Sequence, residues 1–588
     1  MKPLFHLNKY LIKYKWFLIF GFIFIVLSNL FKVYMPAIVD HAADEISMIY
    51  EKKLSSTQND LWDTGLNLAL LYLVYALVNG FFLFLTRQTI IVMSRKIEYD
   101  LKNEIFNHYQ SLSTSFFKKN NTGDLMNRIS EDVSKVRMYL GPAIMYSLNV
   151  FVLFVMVITF MFNKNAELTI YVLAPLPILS FIIYKISSVI NLKSEITQRQ
   201  QSRLSTFVQE AFSGIRVLKA YNRENYFQNE FTQETENYKR AALGLAFVNS
   251  FFLPAIVLLI GLSTVLTIYI GGIKTINQEI DYGDILQFVF YINFLTWPFA
   301  SIGWVTSLIQ RAAASQKRIN EFLDQNEKIH VLKNAKKTAN INSISFNKVS
   351  FTYEHTNIQA LKNISFSLNK GQTLGIIGKT GSGKSTIASL LSRLYDPSEG
   401  IVRINDSNLN ELDLENIRSK IGYVPQDVFL FSDSIKNNIL FGINNHLNDD
   451  QKVIQAAVDA HIHNDIMEFP NQYDTLVGER GVTLSGGQKQ RISIARALIR
   501  EPEILILDDC LSAVDTSTEN TILKNLKPLL KKSISIIIGH RISSVSLSDY
   551  ILVFENGEII EQGNHQQLLE NKNHYYEIHK KQLIDKND

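Results

Sequence analysis

Residues 372–385 read QTLGIIGKTGSGKS: a short apolar run, a glycine-rich loop, then Lys384 and Ser385. From Gly378 to Ser385 the spacing is G-x-x-x-x-G-K-[ST], which predicts a buried strand, a phosphate-gripping loop and a helix running from Lys384 to about Tyr395. Gly378, Gly381 and Gly383 let backbone N–H groups converge on a phosphate without Cβ clashes. The new helix points its positive end at the same anion. Lys384 is expected to neutralise phosphate charge and Ser385 to offer a hydroxyl to Mg²⁺. Thr380, Ser382 and Thr386 are the remaining nucleotide contacts expected from this stretch. ATP and Mg²⁺ are the expected ligands.

Around this loop, β-like runs alternate with helical stretches, the pattern of an α/β sheet covered by helices. ILILDD (504–509) is a buried strand ending in two acids. Asp508 is placed to hold Mg²⁺, and Asp509 stands where a general base would. ISIIIGH (534–540) ends at His540, where an imidazole at a strand end can reach a γ-phosphate. Gln426, in GYVPQDVFLF, is a candidate for Mg²⁺ or the attacking water, and Tyr353, ahead of the loop strand, for stacking on adenine. LSGGQ (484–488) precedes a helical stretch through KQRISIARAL. Ser485, Gly486, Gly487 and Gln488 make a second anion-binding helix start; a plain helix cap is the other reading. One ATP already has its loop, so a second cradle implies two copies facing each other, each covering the other's nucleotide.

Upstream, six stretches are long and apolar enough to span a bilayer: 16–38, 64–86, 140–162, 167–189, 243–272 and 285–309. Lys2, Lys9, Lys13 and Lys15 precede the first, which reads as a retained anchor rather than a cleaved signal. Nine basic residues lie between Arg87 and Arg137, whereas Asp40 to Asp63 carries six acids and two lysines. Both termini are therefore expected in the cytosol. The inner connections, 87–139 and 190–242, are long and helical in period, with turns expected near 113–124 and 213–226. Within the spans, Asn29, Lys32, Asn79, Asn149, Lys185, Asn249, Gln287 and Asn293 are polar. The amides are expected to bridge helices and the lysines to snorkel, none being singled out as a substrate ligand.

The expected layout is an α-helical transmembrane domain of six spans (1–323), a polar linker (324–343) and an α/β P-loop nucleotide-binding domain (344–588). A net charge of +4 over 588 residues argues against a nucleic-acid partner. The single cysteine, Cys510, excludes an intrachain disulfide and fits a reducing cytosol.

Taken together, these residues resemble the half-size ABC exporters, the family of lipid flippases and multidrug pumps. The resemblance covers nearly the whole chain and meets the family's motifs in order: Tyr353, Walker A 378–385, Gln426, VGERG (477–481), LSGGQ, Asp508, SAVD (512–515) and His540. FFKKNNTGDLMNRISEDV (116–133) and SGIRVLKAYNRE (213–224) look like its coupling-helix regions. The resemblance implies an integral, multi-pass protein of a bacterial-type inner membrane, its nucleotide-binding domain in the cytoplasm. It also implies a dimer that closes on ATP, with membrane lipid and an amphipathic cargo as partners. One position departs from the pattern: the family usually has Glu where Asp509 stands. A carboxylate withdrawn by roughly 1.5 Å should bind ATP and hydrolyse it slowly. LDDCLSAVD (507–515) resembles one half of heterodimeric bacterial exporters of the MdlA/MdlB kind, so a heterodimer with a Glu-bearing half is expected over a homodimer. A nucleotide-gated regulatory or channel-like subunit is the alternative.

Overall fold

The computed structural model describes residues 2–52, 58–325, 329, 335–443, 449–478, 484–512, 514 and 516–584. The chain divides into two compact units, Met1–Gln110 with Gly123–Gln325, and Ser111–Thr122 with Asn326–Asp588.

The first unit is helical. Six stretches have the length and composition to cross a membrane: Lys15–Glu45, Trp62–Ser111, Thr122–Lys164, Ala166–Ser213, Glu224–Ile276 and Tyr282–Leu323. A bilayer needs about 20 residues, so the 50 residues of Trp62–Ser111 leave a long polar extension beyond it. The helices break at Leu112–Ser113 and at Gly214, where the chain turns through short helices Thr114–Lys119, counted with the second unit, and Ile215–Ala220.

Several intramembrane amides do bridge helices. Asn29 Nδ2 donates to Asn149 Oδ1 at 2.8 Å, and Ser28 Oγ to Asn79 Oδ1 at 2.6 Å. Gln287 donates to the Tyr291 hydroxyl at 2.8 Å, and that hydroxyl to the Val33 carbonyl at 3.2 Å. Each bond satisfies a polar group that hydrocarbon would leave stranded. Lys164 Nζ bridges Asp40 (2.9 Å) and Asp284 (2.6 Å), tying three spans together.

The second unit contains two sheets. β1 (Ser343–Tyr353), β2 (Ile358–Asn369), β4 (Glu399–Ile404) and β5 (Ser407–Asn408) form an antiparallel sheet ordered β2-β1-β4-β5. β3 (Thr373–Gly378), β6 (Ile421–Val424), β7 (Ile504–Asp508), β8 (Ile534–Gly539), β9 (Tyr550–Glu555) and β10 (Glu558–Gly563) form the other, ordered β10-β9-β3-β8-β7-β6. Every residue of β3, β7 and β8 is buried, as Ile/Leu-rich parallel strands covered on both faces must be. The period-2 alternation divides their side chains between two cores. Ile377, Leu505, Leu507 and Ile537 enter one; Ile376, Ile504, Ile506, Ile536 and Ile538 enter the other. The parallel register sets Ile377 beside Gly539 and Asp508 beside Ile538. The carboxyl ends of β3, β8 and β7 therefore stand side by side.

Candidate nucleotide site

That row of strand ends is where open α/β sheets place ligands. β3 delivers the chain to the glycine loop, and the Lys384–Leu391 helix follows. Gly381 (φ 81°) and Gly383 (φ 98°) hold left-handed conformations, and a Cβ on Gly383 would run into the Ala360 carbonyl oxygen. Lys384, 5% exposed, folds back and donates from Nζ to the carbonyls of Gly378 (2.8 Å) and Lys379 (2.7 Å). Burial pushes its pKa down to about 8, against the pull of Asp509 and Asp508. An incoming polyanion would restore the full charge. The buried Ser382 hydroxyl has no hydrogen-bond partner among the described residues. An orphaned O–H in a loop of this shape fits a phosphate oxygen.

Ser385 Oγ donates to Asp508 Oδ1 at 2.8 Å. A hydroxyl and a carboxylate side by side are the hard oxygen donors that Mg²⁺ takes, usually with retained water. Burial lifts the Asp508 carboxyl above its ordinary pKa, and the Ser385 bond pulls it back.

Asp509 sits just past β7 at φ 47°, a left-handed conformation that Asp tolerates better than most residues. Its Oδ2 lies 3.4 Å from Gln426 Nε2 and 3.9 Å from His540 Nε2. The three candidate catalytic side chains thus meet at one carboxylate oxygen. Burial raises the Asp509 pKa, while the nearby His540, Lys384 and Arg541 oppose it. Tyr353 is half-buried, its hydroxyl 3.1 Å from Thr386 Oγ1. Thr386 thus steadies the tyrosine. Tyr395 packs edge-on at 5.5 Å, and the Lys118 ammonium lies 5.3 Å from the Tyr353 ring centre. Thr380 is exposed on the loop.

Ser485 caps the Gly486–Leu498 helix, accepting from Gln488 N at 3.2 Å and donating its own N–H to Gln488 Oε1 at 3.0 Å. Ser485 and Gly486 remain exposed. The segment is therefore both a cap and an open helix start. Gln488 also reaches Asp465 (3.3 Å), which Arg491 grips at 3.0 and 2.7 Å. Among the described residues, the side chain of Ser485 bonds to Gln488 and not to the glycine loop. Glu479–Gly481 of VGERG, and Ala513 and Asp515 of SAVD, lie outside the described residues.

Two supports were not foreseen. The stretch from about 571 reads as a polar tail, yet His574–Ile584 is a helix with Tyr575 fully buried, its hydroxyl 2.7 Å from His565 Nδ1. From that helix, Gln582 donates to the His540 carbonyl at 2.7 Å and accepts from Ile542 N at 2.9 Å, bracketing the turn that presents His540. Glu519, wholly buried, receives Ser543 Oγ (3.1 Å) and the Ser544 hydroxyl just beyond the same turn. The available signal was faint: paired tyrosines in a polar run.

Comparison with known proteins agrees with this geometry. Residues 18–299 match the ABC transporter transmembrane region, and residues 361–512 the ABC transporter domain. A probable multidrug resistance ABC transporter ATP-binding/permease protein, YheI of Bacillus subtilis (strain 168), is 38% identical over 82% of this chain and 83% of its own. The multidrug resistance-like ATP-binding protein MdlA of Buchnera aphidicola subsp. Schizaphis graminum is 36% identical over 92% of each chain. The ATP-dependent lipid A-core flippase of Syntrophus aciditrophicus (strain SB) is 31% identical over 84% of this chain and 81% of its own. A bacterial Atm1-family ABC exporter with ATP bound superposes at a TM-score of 0.78, with 25% identity over 96% of this chain and 99% of that one. With six apolar helices joined to this loop, strand and signature geometry, the chain belongs to the ABC transporters as an exporter half-transporter, a multi-pass membrane protein whose ATP-binding domain couples ATP hydrolysis to transport.

Proposed function

We propose that this chain is one half of a heterodimeric exporter. It moves a lipid, drug or other amphipathic molecule out of the cytoplasm or inner leaflet of a bacterial inner membrane, with its ATP-binding domain on the cytoplasmic side. The two-subunit reading is supported by the open helix start at Ser485, exposed and bonded within its own cap, and the unequal pair by Asp509 standing where the family usually has Glu. A second subunit's triphosphate is the ligand such an end suits. In the chain's own site, Lys384, Ser382 and the loop amides hold the phosphates, and Tyr353 takes the base. Ser385, Asp508 and Gln426 are the residues that would hold Mg²⁺, which when bound supplies charge neutralisation of the phosphates. Gln426 and His540 orient water and γ-phosphate, and Asp509 accepts the proton, one methylene shorter than the usual Glu.

The test is co-reconstitution of this chain with a half-transporter carrying Glu at the matching position, in inverted vesicles. ATP is expected to drive uphill accumulation of an amphipathic dye. Downhill flux sustained equally by a non-hydrolysable ATP analogue would instead make the chain a gated channel subunit.

Gln582 is a positioning residue in this scheme. Gln582→Ala frees the His540 turn, so turnover is expected to fall by up to about 10²-fold if placement is lost by roughly 1 Å, with KM for ATP nearly unchanged. Gln582→Glu, which keeps the acceptor for Ile542 N, should recover part of the loss. An equal effect on KM would show general damage to the domain instead.

A further inference from the structure

Lys32 lies in the Lys15–Glu45 span, sixteen residues after Trp16 and eight before Asp40. At 1.5 Å per residue those distances are roughly 24 and 12 Å along the helix. A lysine side chain reaches about 6 Å, and its Cα–Cβ bond leans toward the helix N-terminus, the farther side. Snorkelling to water is therefore not its solution. The ammonium stands 4.7 Å from the centre of the Phe294 ring, and among the described residues it has no hydrogen bond or ion pair. A cation–π contact lends the ammonium some of the stabilisation it loses on leaving water, but the ring carries no countercharge, which a lysine within a span ordinarily finds.

The helix beneath it has a matching face. Phe290, Asn293, Phe294 and Trp297 of Tyr282–Leu323 follow the i, i+3, i+4, i+7 spacing of one helical stripe. Phe290 is 39% and Trp297 56% exposed. Asn293 is exposed too, its Nδ2 bonded to the Val289 carbonyl of its own helix at 2.8 Å. An amide offers more donors and acceptors than that one bond uses. Facing lipid tails they would go unmet.

We propose that Lys32, Asn293 and the Phe290–Phe294–Trp297 stripe bind an anionic amphiphile, its charged head at Lys32 and Asn293 and its apolar chain along the rings. This rests on the exporter reading and names the cargo class for it. An anion at Lys32 supplies the missing countercharge, which neither a neutral nor a cationic amphiphile does. An acidic side chain of the second half could supply it as well, and the experiment separates the two.

The full-length chain with its partner half, in phosphatidylcholine nanodiscs, is titrated with n-dodecyl phosphate and with dodecyltrimethylammonium. Wild type is expected to bind the phosphate at least tenfold more tightly. Lys32→Met should lose that preference, and Lys32→Arg should keep it. Equal wild-type affinities would overturn the proposal. So would phosphate binding unchanged in Lys32→Met, the result expected if the second half supplies an acid. Should neither probe bind while ATP still drives uphill transport of another amphiphile, the exporter reading survives and the anion site does not.

Discussion

Lys384→Met is expected to slow hydrolysis at this chain's own site by about 10²–10³-fold and, without nucleotide, to remove the rise in stability that wild type shows as pH climbs above about 8. The two effects have one origin. Lys384 is 5% exposed and donates to the Gly378 and Lys379 carbonyls, so its ammonium is already aimed into the loop. Removing a preorganised donor for transition-state charge reduces turnover by about 10²–10³-fold. Burial also depresses its pKa to about 8 from 10.5. The folded state therefore binds fewer protons than the unfolded one between those values, and stability rises with pH through that window. Below pH 8 the full penalty is present, on the order of 3 kcal/mol. Deleting the charge removes it, while losing two charge-assisted hydrogen bonds at about 1.5–3 kcal/mol each offsets it, so what the variant changes most clearly is how stability depends on pH. Thermal melts should show wild type gaining on Lys384→Met as pH rises from about 7 toward 10. For the same reason wild-type ATP affinity should weaken above pH 8, approaching tenfold per unit as the free lysine loses its proton. A variant whose melting runs parallel to wild type at every pH, with wild-type ATP affinity flat above pH 8, would refute this account.

Much of this site could be read before any coordinates. β3, β7 and β8 announce themselves because strands buried on both faces carry uninterrupted Ile/Leu runs, and the glycine loop has few other uses. The six spans were equally plain, since hydrocarbon tolerates no long polar run. What could not be read depends on pairing at a distance. That Gln426 and His540 share one Asp509 oxygen requires the order β3-β8-β7, which no local pattern encodes. Gln582 is an ordinary polar residue until the chain folds its last helix against the His540 turn. Lys32 reads as a snorkelling lysine until its depth and its contact with Phe294 are known.

Asp509→Glu is expected to raise turnover of the isolated chain by one to two orders of magnitude. Asp509 Oδ2 is already 3.4 Å from Gln426 and 3.9 Å from His540, so the groups proposed to orient water are assembled and the carboxylate's reach is the variable left. Restoring about 1.5 Å of reach recovers the factor of roughly 10² that a misplacement of about 1 Å can remove. The gain carries a backbone cost. Asp509 holds φ 47°, a left-handed conformation that Asp accepts and Glu resists by up to about 1–2 kcal/mol. Faster hydrolysis should therefore come with a lower melting temperature. Asp509→Ala supplies the other bound, since it leaves ATP binding in place and removes the residual turnover. If the unaltered chain alone already hydrolyses ATP at about 10 per second, the median for enzymes, and Asp509→Glu adds nothing, the short carboxylate is an adequate base. The case for a Glu-bearing partner then goes with it. A slow wild type, a fast Glu variant and a silent Ala variant would together mean that this chain retains its ATP while the site completed by its Ser485 helix does most of the turning over.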